Sequence, residues 1–162
     1  MNVKDLLHYN VTLTHSITKA YLDDITEKEM LVRAVPGSNH LAWQLGHLVA
    51  SERSLLEAIG VDVPDLPEGF AEKHGDKNTD SDNPSDFLSK SEYFELMEQM
   101  HKVADAAIDK TDEAGLDAPT PEKLRSFFPT VGAVLLMTGS HEMMHSGQIA
   151  AIRRKLGKPV VI

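Results

Sequence analysis

Four long segments of this sequence carry apolar residues at intervals of three and four, and this spacing places those residues on one face of an α-helix. The predicted helices span residues 3–21, 38–60, 89–115 and 130–157. The apolar face predicted for the first helix consists of Val3, Leu6, Leu7, Leu13, Ile17 and Tyr21. No segment shows the strict alternation of a half-buried β-strand. Because 162 residues is the length of one domain, the sequence predicts a single all-α domain over residues 1–162, folded as a four-helix bundle.

Short sequence signals mark where the helices begin. The Ser/Thr-x-x-Glu pattern of a capping box occurs at Thr26–Glu29, where it predicts a short helical turn, and at Ser89–Glu92, where the third helix starts. Ser38 or Asn39 can cap the second helix, and Thr130 can cap the fourth.

The connection between the second and third helices is unusually long. Residues 61–85 contain three prolines, two glycines and five aspartates, and they sustain no helical or strand period. Such a stretch is uncommon inside a compact domain, so we expect it to cross the end or side of the bundle, with one local turn, and to cover a site. Its length allows the second and third helices to run parallel.

Composition and charge exclude several classes of protein. The sequence has no cysteine, so any metal ion must be held by nitrogen and oxygen ligands. The net charge of −9 opposes binding to phosphate backbones, and no nucleic-acid partner is expected. The longest apolar run, Val131–Met137, has seven residues, whereas a membrane-spanning helix needs about 20. The first residues show no secretion signal, which predicts a cytoplasmic location.

His141 and His145 are the strongest candidates for metal ligands. They lie four residues apart on the fourth helix, so both imidazoles can approach one ion. A third ligand must come from another helix, and His47 is the best placed because small residues flank it on the second helix. Three imidazoles with an open position suit zinc or nickel. The alternatives are a coincidental pair on the helix surface and a hydrogen-bonded pair of core histidines without an ion.

The remaining histidines are weaker candidates. His40 lies two turns before His47 on nearly the same face, but it stands at the helix start, where a histidine is usually exposed. It is the next candidate if His47 is not a ligand. The other histidines are expected to be solvated rather than ligating: His8, His15, His74 and His101.

Residues 141–145 also match the H-E-x-x-H signature of zinc metalloproteases. Those enzymes place this helix beneath a β-sheet, and no sheet is predicted here, so a protease is not expected. Glu142 can still serve as a general base that accepts a proton from a nucleophile at the ion. A solvated residue on the helix surface is the alternative role for Glu142.

Three segments together resemble the DinB-like (DinB/YfiT) superfamily of metal-binding four-helix proteins: Pro36–Glu52, His141–Ile149 and Arg153–Pro159. The resemblance covers nearly the whole chain. Position by position, it places the metal triad of the family on His47, His141 and His145. It also implies an up-down-down-up bundle and a homodimer.

The resemblance narrows the function without naming a reaction. Characterised relatives include transferases and isomerases that use low-molecular-weight thiols such as mycothiol or bacillithiol. We therefore expect a divalent-metal-dependent transferase or hydrolase that acts on a small molecule. A non-catalytic metal-binding or ligand-binding module is the alternative. Trp43 and Gln148, one turn from the proposed ligands, are candidates to line the pocket or orient a ligand. Their alternative roles are a core aromatic residue and a buried helix amide.

Overall fold

The computed structural model of the chain describes residues 1–75 and 79–160, and this part contains six α-helices. They are α1 (Val3–Leu22), α2 (Leu41–Ala58), α3 (Phe70–Lys73), α4 (Lys90–Lys110), α5 (Glu113–Leu116) and α6 (Val131–Lys155). Two 3₁₀ turns lie at Glu27–Leu31 and Pro84–Asp86. No β-strand occurs in the described residues, which confirms the predicted all-α class. The long helices α1, α2, α4 and α6 correspond to the four predicted segments.

Most of the predicted start and stop signals are confirmed. Capping boxes form at Thr26–Glu29 and at Ser89–Glu92, and the Thr130 side chain accepts a hydrogen bond from the backbone at the start of α6. Gly60 follows α2 with a φ of +84°. Glycine adopts this left-handed conformation without steric cost, so the helix ends there readily.

The start of α2 differs from the prediction, because His40 caps it in place of Ser38 or Asn39. The His40 Nδ1 accepts a hydrogen bond from the Trp43 backbone N–H at 3.1 Å, and its Nε2 donates to the Ser81 carbonyl at 3.0 Å. The His40 side chain is fully buried, whereas a histidine at a helix start was expected to be exposed. Since both ring nitrogens are already bonded, His40 is not available as a metal ligand.

The end of the third long helix also differs from the prediction. α4 ends at Lys110, five residues before Gly115, because Asp112 starts the separate helix α5. The Asp112 carboxylate accepts a hydrogen bond from the Gly115 backbone N–H at 2.7 Å and so caps that short helix.

The long helices enclose two apolar clusters. α1 packs against α6 and α4, and α2 packs against α4 and α6. One cluster includes Leu22, Leu45, Tyr93, Met100 and Ile149. The other includes Leu7, Val11, Leu56, Ile108 and Leu135. Between these clusters, along each long helix, lie buried polar residues that we call the polar layer: Thr14, Thr18, Glu52, His101, Thr138, Glu142, His145 and Ser146.

The buried face of α1 is narrower than its apolar pattern predicts. Leu7 and Tyr21 are buried as expected, but Val3, Leu6 and Leu13 are 55%, 48% and 39% exposed. The buried stripe passes instead through Val11, Thr14 and Thr18. The helical spacing of apolar residues correctly predicted α1. It could not indicate which of two adjacent stripes on that helix contacts the neighbouring helices.

The long connection packs along α2. α3 contacts α2, and the Arg33 side chain holds the later part of the connection through the Asp82 carboxylate and the backbone carbonyls of Thr79 and Ser81. Residues 76–78 of the predicted connection lie outside the described residues. Within the described part of the chain, no helix combines the length and the apolar character that crossing a membrane requires.

Candidate metal centre

The structure brings His47, His141 and His145 together between α2 and α6. His47 comes from α2, and the two other histidines come from successive turns of α6. Each offers a ring nitrogen, and these nitrogens lie within 4.8 Å of one another. The ring centroids are 5.3 Å apart for His47 and His141 and 4.9 Å apart for His141 and His145. Three imidazoles at these separations can converge on one divalent ion with small side-chain adjustments.

Gln44 fixes the orientation of His145. The Gln44 amide nitrogen donates to the Asn39 carbonyl at 2.8 Å, so its oxygen faces His145 and accepts from Nδ1 at 3.1 Å. His145 therefore carries its proton on Nδ1, and the lone pair of Nε2 is left for an ion. This arrangement, in which a ligating histidine donates its other N–H, is typical of metal sites.

Gln44 was not predicted from the sequence, which indicated Gln148 as a candidate for this role. Gln148 is exposed, whereas Gln44 is buried. One signal could have identified it, because Gln44 precedes His47 by three residues and so lies one helical turn away on the same side of α2.

Trp43 packs against the first candidate ligand. Its ring is buried and stacks on the His47 ring with a centroid distance of 4.7 Å and an interplanar angle of 10°. This contact restricts the plane in which His47 can lie. Trp43 thus contacts a candidate ligand, and its role in lining the pocket stays a prediction.

The environment keeps two of these imidazoles neutral near pH 7. Burial lowers the pKa of His141, and the neighbouring His47 lowers it further. Burial, followed by the charges that His141 and His47 would carry, lowers the pKa of His145 to about 4. Neutral imidazole is the form that binds a metal ion, so the fold favours the ligating state.

An open cleft reaches two members of the triad. His47 and His141 line a cleft of about 440 Å³ between α2, α3, α6 and the chain segment that leads into α6. Its other walls include Ser51, Ser54, Leu55, Ala71, His74, Phe128 and Met137. This volume is in the range of small-molecule sites.

Glu142 lies in a different group from the triad. Its Oε2 accepts a hydrogen bond from the His101 Nε2 at 3.0 Å, and its Oε1 lies 3.7 Å from the His15 Nδ1. Although burial raises the pKa of Glu142, His101 and His15 hold it at about 2, so the residue is ionised. Glu142 is therefore a buried anion and not the solvated residue considered as its alternative role.

Two histidines expected to be solvated accompany Glu142. His101 is 7% exposed, and the side chain of His15 is 14% exposed. Burial alone would lower the pKa of His15, but the carboxylates of Glu142 and Glu98 raise it above its ordinary value. The cluster could not be predicted from the sequence, because its three members come from three different helices with no shared motif.

The other two histidines that were expected to be solvated, His74 and His8, differ in burial. His74 is buried, contrary to expectation, and is held by the Phe70 carbonyl at 2.8 Å and by the Tyr93 hydroxyl at 2.7 Å. His8 is partly exposed, as expected for a surface residue, and pairs with Asp105.

A small cavity lies between the triad and the Glu142 group. It has a volume of about 10 Å³, near the minimum for one water molecule, and His101, His141, Glu142 and Glu52 are among its lining residues. Burial raises the pKa of Glu52 well above its ordinary value, and the nearby Glu142 raises it further. Burial thus favours the neutral form of Glu52, a residue of the polar layer that was not identified from the sequence.

Comparison with known proteins supports the predicted family. A solved structure, described as a conserved protein from Enterococcus faecalis, superimposes with a TM-score of 0.71 at 18% sequence identity, covering 98% of this chain and 99% of that chain. This likeness shows a shared fold. A search of proteins with curated descriptions finds no significant match. The sequence profile of the DinB superfamily matches residues 11–149. This match spans most of the chain, which therefore belongs to the DinB superfamily.

Proposed function

We propose that the protein is a divalent-metal-dependent enzyme that acts on a small molecule, with His47, His141 and His145 as the metal ligands. One observation carries this proposal: the three imidazoles converge, and two of them line an open cleft of about 440 Å³. A purely structural ion usually has a closed coordination sphere, whereas a catalytic ion keeps an open position.

The residues of the triad suit zinc or nickel, since imidazole nitrogen binds both ions well. When bound, such an ion supplies Lewis acidity, which lowers the pKa of a water or thiol and polarises a substrate oxygen. Gln44 and Trp43 hold two of the imidazoles in place. Glu142, which lines the small cavity beside His141, is the proposed proton acceptor.

The reaction class is a transfer or a hydrolysis. The described lining of the cleft contains hydroxyl, apolar and imidazole groups and no carboxylate or ammonium group, which favours an uncharged part of a substrate. Because the characterised members of the superfamily include thiol-dependent enzymes, a low-molecular-weight thiol is the proposed second substrate.

The experiment measures metal content and turnover together. The purified full chain is expected to hold one ion at the triad, and His47→Ala should release it. Glu142→Gln should keep the triad ion and lower the rate by roughly 10²–10⁴-fold, the usual cost of removing a general base. An ion at the triad whose fourth ligand is a protein side chain, with no turnover in a screen of thiols and hydrolase substrates, would establish the non-catalytic module instead.

We further propose that the four long helices run up-down-down-up. Hydrogen bonds between α1 and α6 pair Asn10 with Leu136 and Thr18 with Ser146, while contacts between α1 and α4 pair His8 with Asp105 and His15 with Glu98. In the α1–α6 pairs the residue numbers rise together along both helices, whereas in the α1–α4 pairs one rises as the other falls. This supports α6 parallel to α1 and α4 antiparallel to it.

A homodimer is the proposed assembly, in a cytoplasmic protein without a nucleic-acid partner. Exposed apolar side chains occur on the two adjacent helices α1 and α6: Leu6, Tyr9, Leu13, Leu136, Met143 and Met144. Such a concentration on neighbouring helices supports a protein contact there, because monomers rarely expose large contiguous apolar surfaces.

A further inference from the structure

We propose that His15, His101 and Glu142 form a second divalent-metal site, separate from the histidine triad. The three residues come from α1, α4 and α6, so a bound ion would join three of the four long helices. Each residue offers one ligand atom, and these atoms lie within 4.8 Å of one another.

The distances between these groups match those between ligands of one ion. Ligand atoms about 2.1 Å from a tetrahedral ion lie about 3.4 Å from each other. The Glu142 carboxylate approaches His101 to 3.0 Å through one oxygen and His15 to 3.7 Å through the other. The His15 and His101 ring centroids are only 4.0 Å apart. An ion can therefore be accommodated with little movement of the side chains.

The cluster contains buried polar atoms that lack a partner. Among the described residues, the His15 Nδ1, the His101 Nδ1 and the Glu142 Oε1 form no hydrogen bond, and Glu142 is only 2% exposed. The 3.7 Å between the His15 Nδ1 and the Glu142 Oε1 is too long for a hydrogen bond. A cation between them would satisfy both atoms at once.

A carboxylate already orients His15 from outside the cluster. The Glu98 Oε1 accepts a hydrogen bond from the His15 Nε2 at 2.9 Å, and the Lys19 ammonium lies 3.1 Å from the same oxygen. This places a proton on Nε2 and directs Nδ1 toward Glu142. A histidine that donates to a carboxylate with one nitrogen and binds metal with the other is a recurring feature of metal sites.

Two imidazoles and one carboxylate form a ligand set that binds zinc and ferrous iron. Three protein ligands leave at least one coordination position open. The small cavity that His101 and Glu142 line beside this cluster has room for about one water molecule. The second site therefore has space for the non-protein ligand that such a set requires.

The second site does not depend on the function proposed for the triad. Glu142 follows His141 in the chain, yet the two side chains belong to different clusters. If both sites bind, Glu142 is a ligand of the second ion and not a ligand of the triad ion. Loss of Glu142 then removes one ion and leaves the other.

The test is a titration of the full chain with Co²⁺, whose absorption reports each coordination site. The unmodified chain should bind two ions. His15→Gln and Glu142→Gln should each reduce this number to one, and His47→Ala should also leave one. His8→Gln is the matched control: His8 also lies on α1 and pairs with a carboxylate on α4, but it is outside the cluster. It should leave two ions bound.

The outcomes separate the two proposals. One ion that His47→Ala removes and that neither His15→Gln nor Glu142→Gln affects would overturn the second site and leave the triad intact. One ion that His15→Gln and Glu142→Gln each remove, and that His47→Ala leaves bound, would support the second site and overturn the triad. If Glu142→Gln fails to fold by circular dichroism, His15→Gln and anomalous scattering from crystals soaked in Zn²⁺ decide the matter. Absence of an anomalous peak among the three side chains would then refute the proposal.

Discussion

Replacing Gln44 by methionine tests whether a buried amide prepares His145 for metal binding. Methionine has a similar length and volume, but its sulfur is only a weak acceptor for the Nδ1–H of His145, and it cannot donate to the Asn39 carbonyl. The substitution therefore removes the hydrogen bonds of 3.1 Å and 2.8 Å that hold the amide in place. The helix α2 and the three proposed ligands remain.

The expected effect on the triad is a loss of metal affinity. Substituting a residue that hydrogen-bonds to a metal ligand typically weakens binding about 10- to 100-fold, which corresponds to about 1.4–2.8 kcal/mol. The metal-free protein should lose stability separately, by about 1–3 kcal/mol, because the His145 N–H is left buried without a strong acceptor. The two effects are distinct, since one is measured with the ion and the other without it.

Affinity is measured by competition with a chromophoric chelator, and stability by urea unfolding after removal of the metal. Gln148→Met is the matched control, because the same change occurs at an exposed glutamine three residues from His145. It should change neither quantity by more than about 0.5 kcal/mol. If Gln44→Met binds the ion within threefold of the unmodified chain, the orienting role of Gln44 is refuted.

Three further predictions follow from the geometry. Burial and the neighbouring histidines lower the pKa of His145 to about 4, so between about pH 6.5 and 4 the unfolded chain gains a proton that the folded chain does not. The metal-free protein should therefore lose up to about 3 kcal/mol of unfolding free energy across that window, and His145→Gln should reduce this pH dependence in urea titrations. Gly46→Ala would place a Cβ in steric conflict with the His74 ring, which should destabilise the fold by about 1–3 kcal/mol in the same assay. An unchanged midpoint would contradict this packing. Leu13→Glu on the exposed face of α1 should convert a dimer to a monomer in analytical ultracentrifugation, and an unaltered sedimentation coefficient would place any interface elsewhere.

Local signals in the sequence predicted the helices well. Capping boxes, glycine stops and apolar periodicity depend on neighbours within one or two turns, and they located all four long helices. They failed where a side chain has a distant partner. His40 caps α2 because the Ser81 carbonyl, far along the chain, binds its other nitrogen.

The candidate site was predictable only in part, for the same reason. His141 and His145 share one helix, so their spacing revealed them, and His47 was found from its small neighbours and from the family resemblance. His15, His101 and Glu142 lie on three helices, and no spacing within one segment connects them. Their burial depends on how the helices pack, which periodicity alone does not determine.

The polar layer has a consequence for the alignment of the helices along their axes. Leucine and methionine side chains pack acceptably at several offsets, so the two apolar clusters alone would tolerate sliding. A slide of α6 by one turn, about 5.4 Å, would separate Glu142 from His101 and carry its charge toward apolar neighbours. Because a buried charge without its partner is strongly unfavourable, we expect this layer to select one longitudinal register for the bundle.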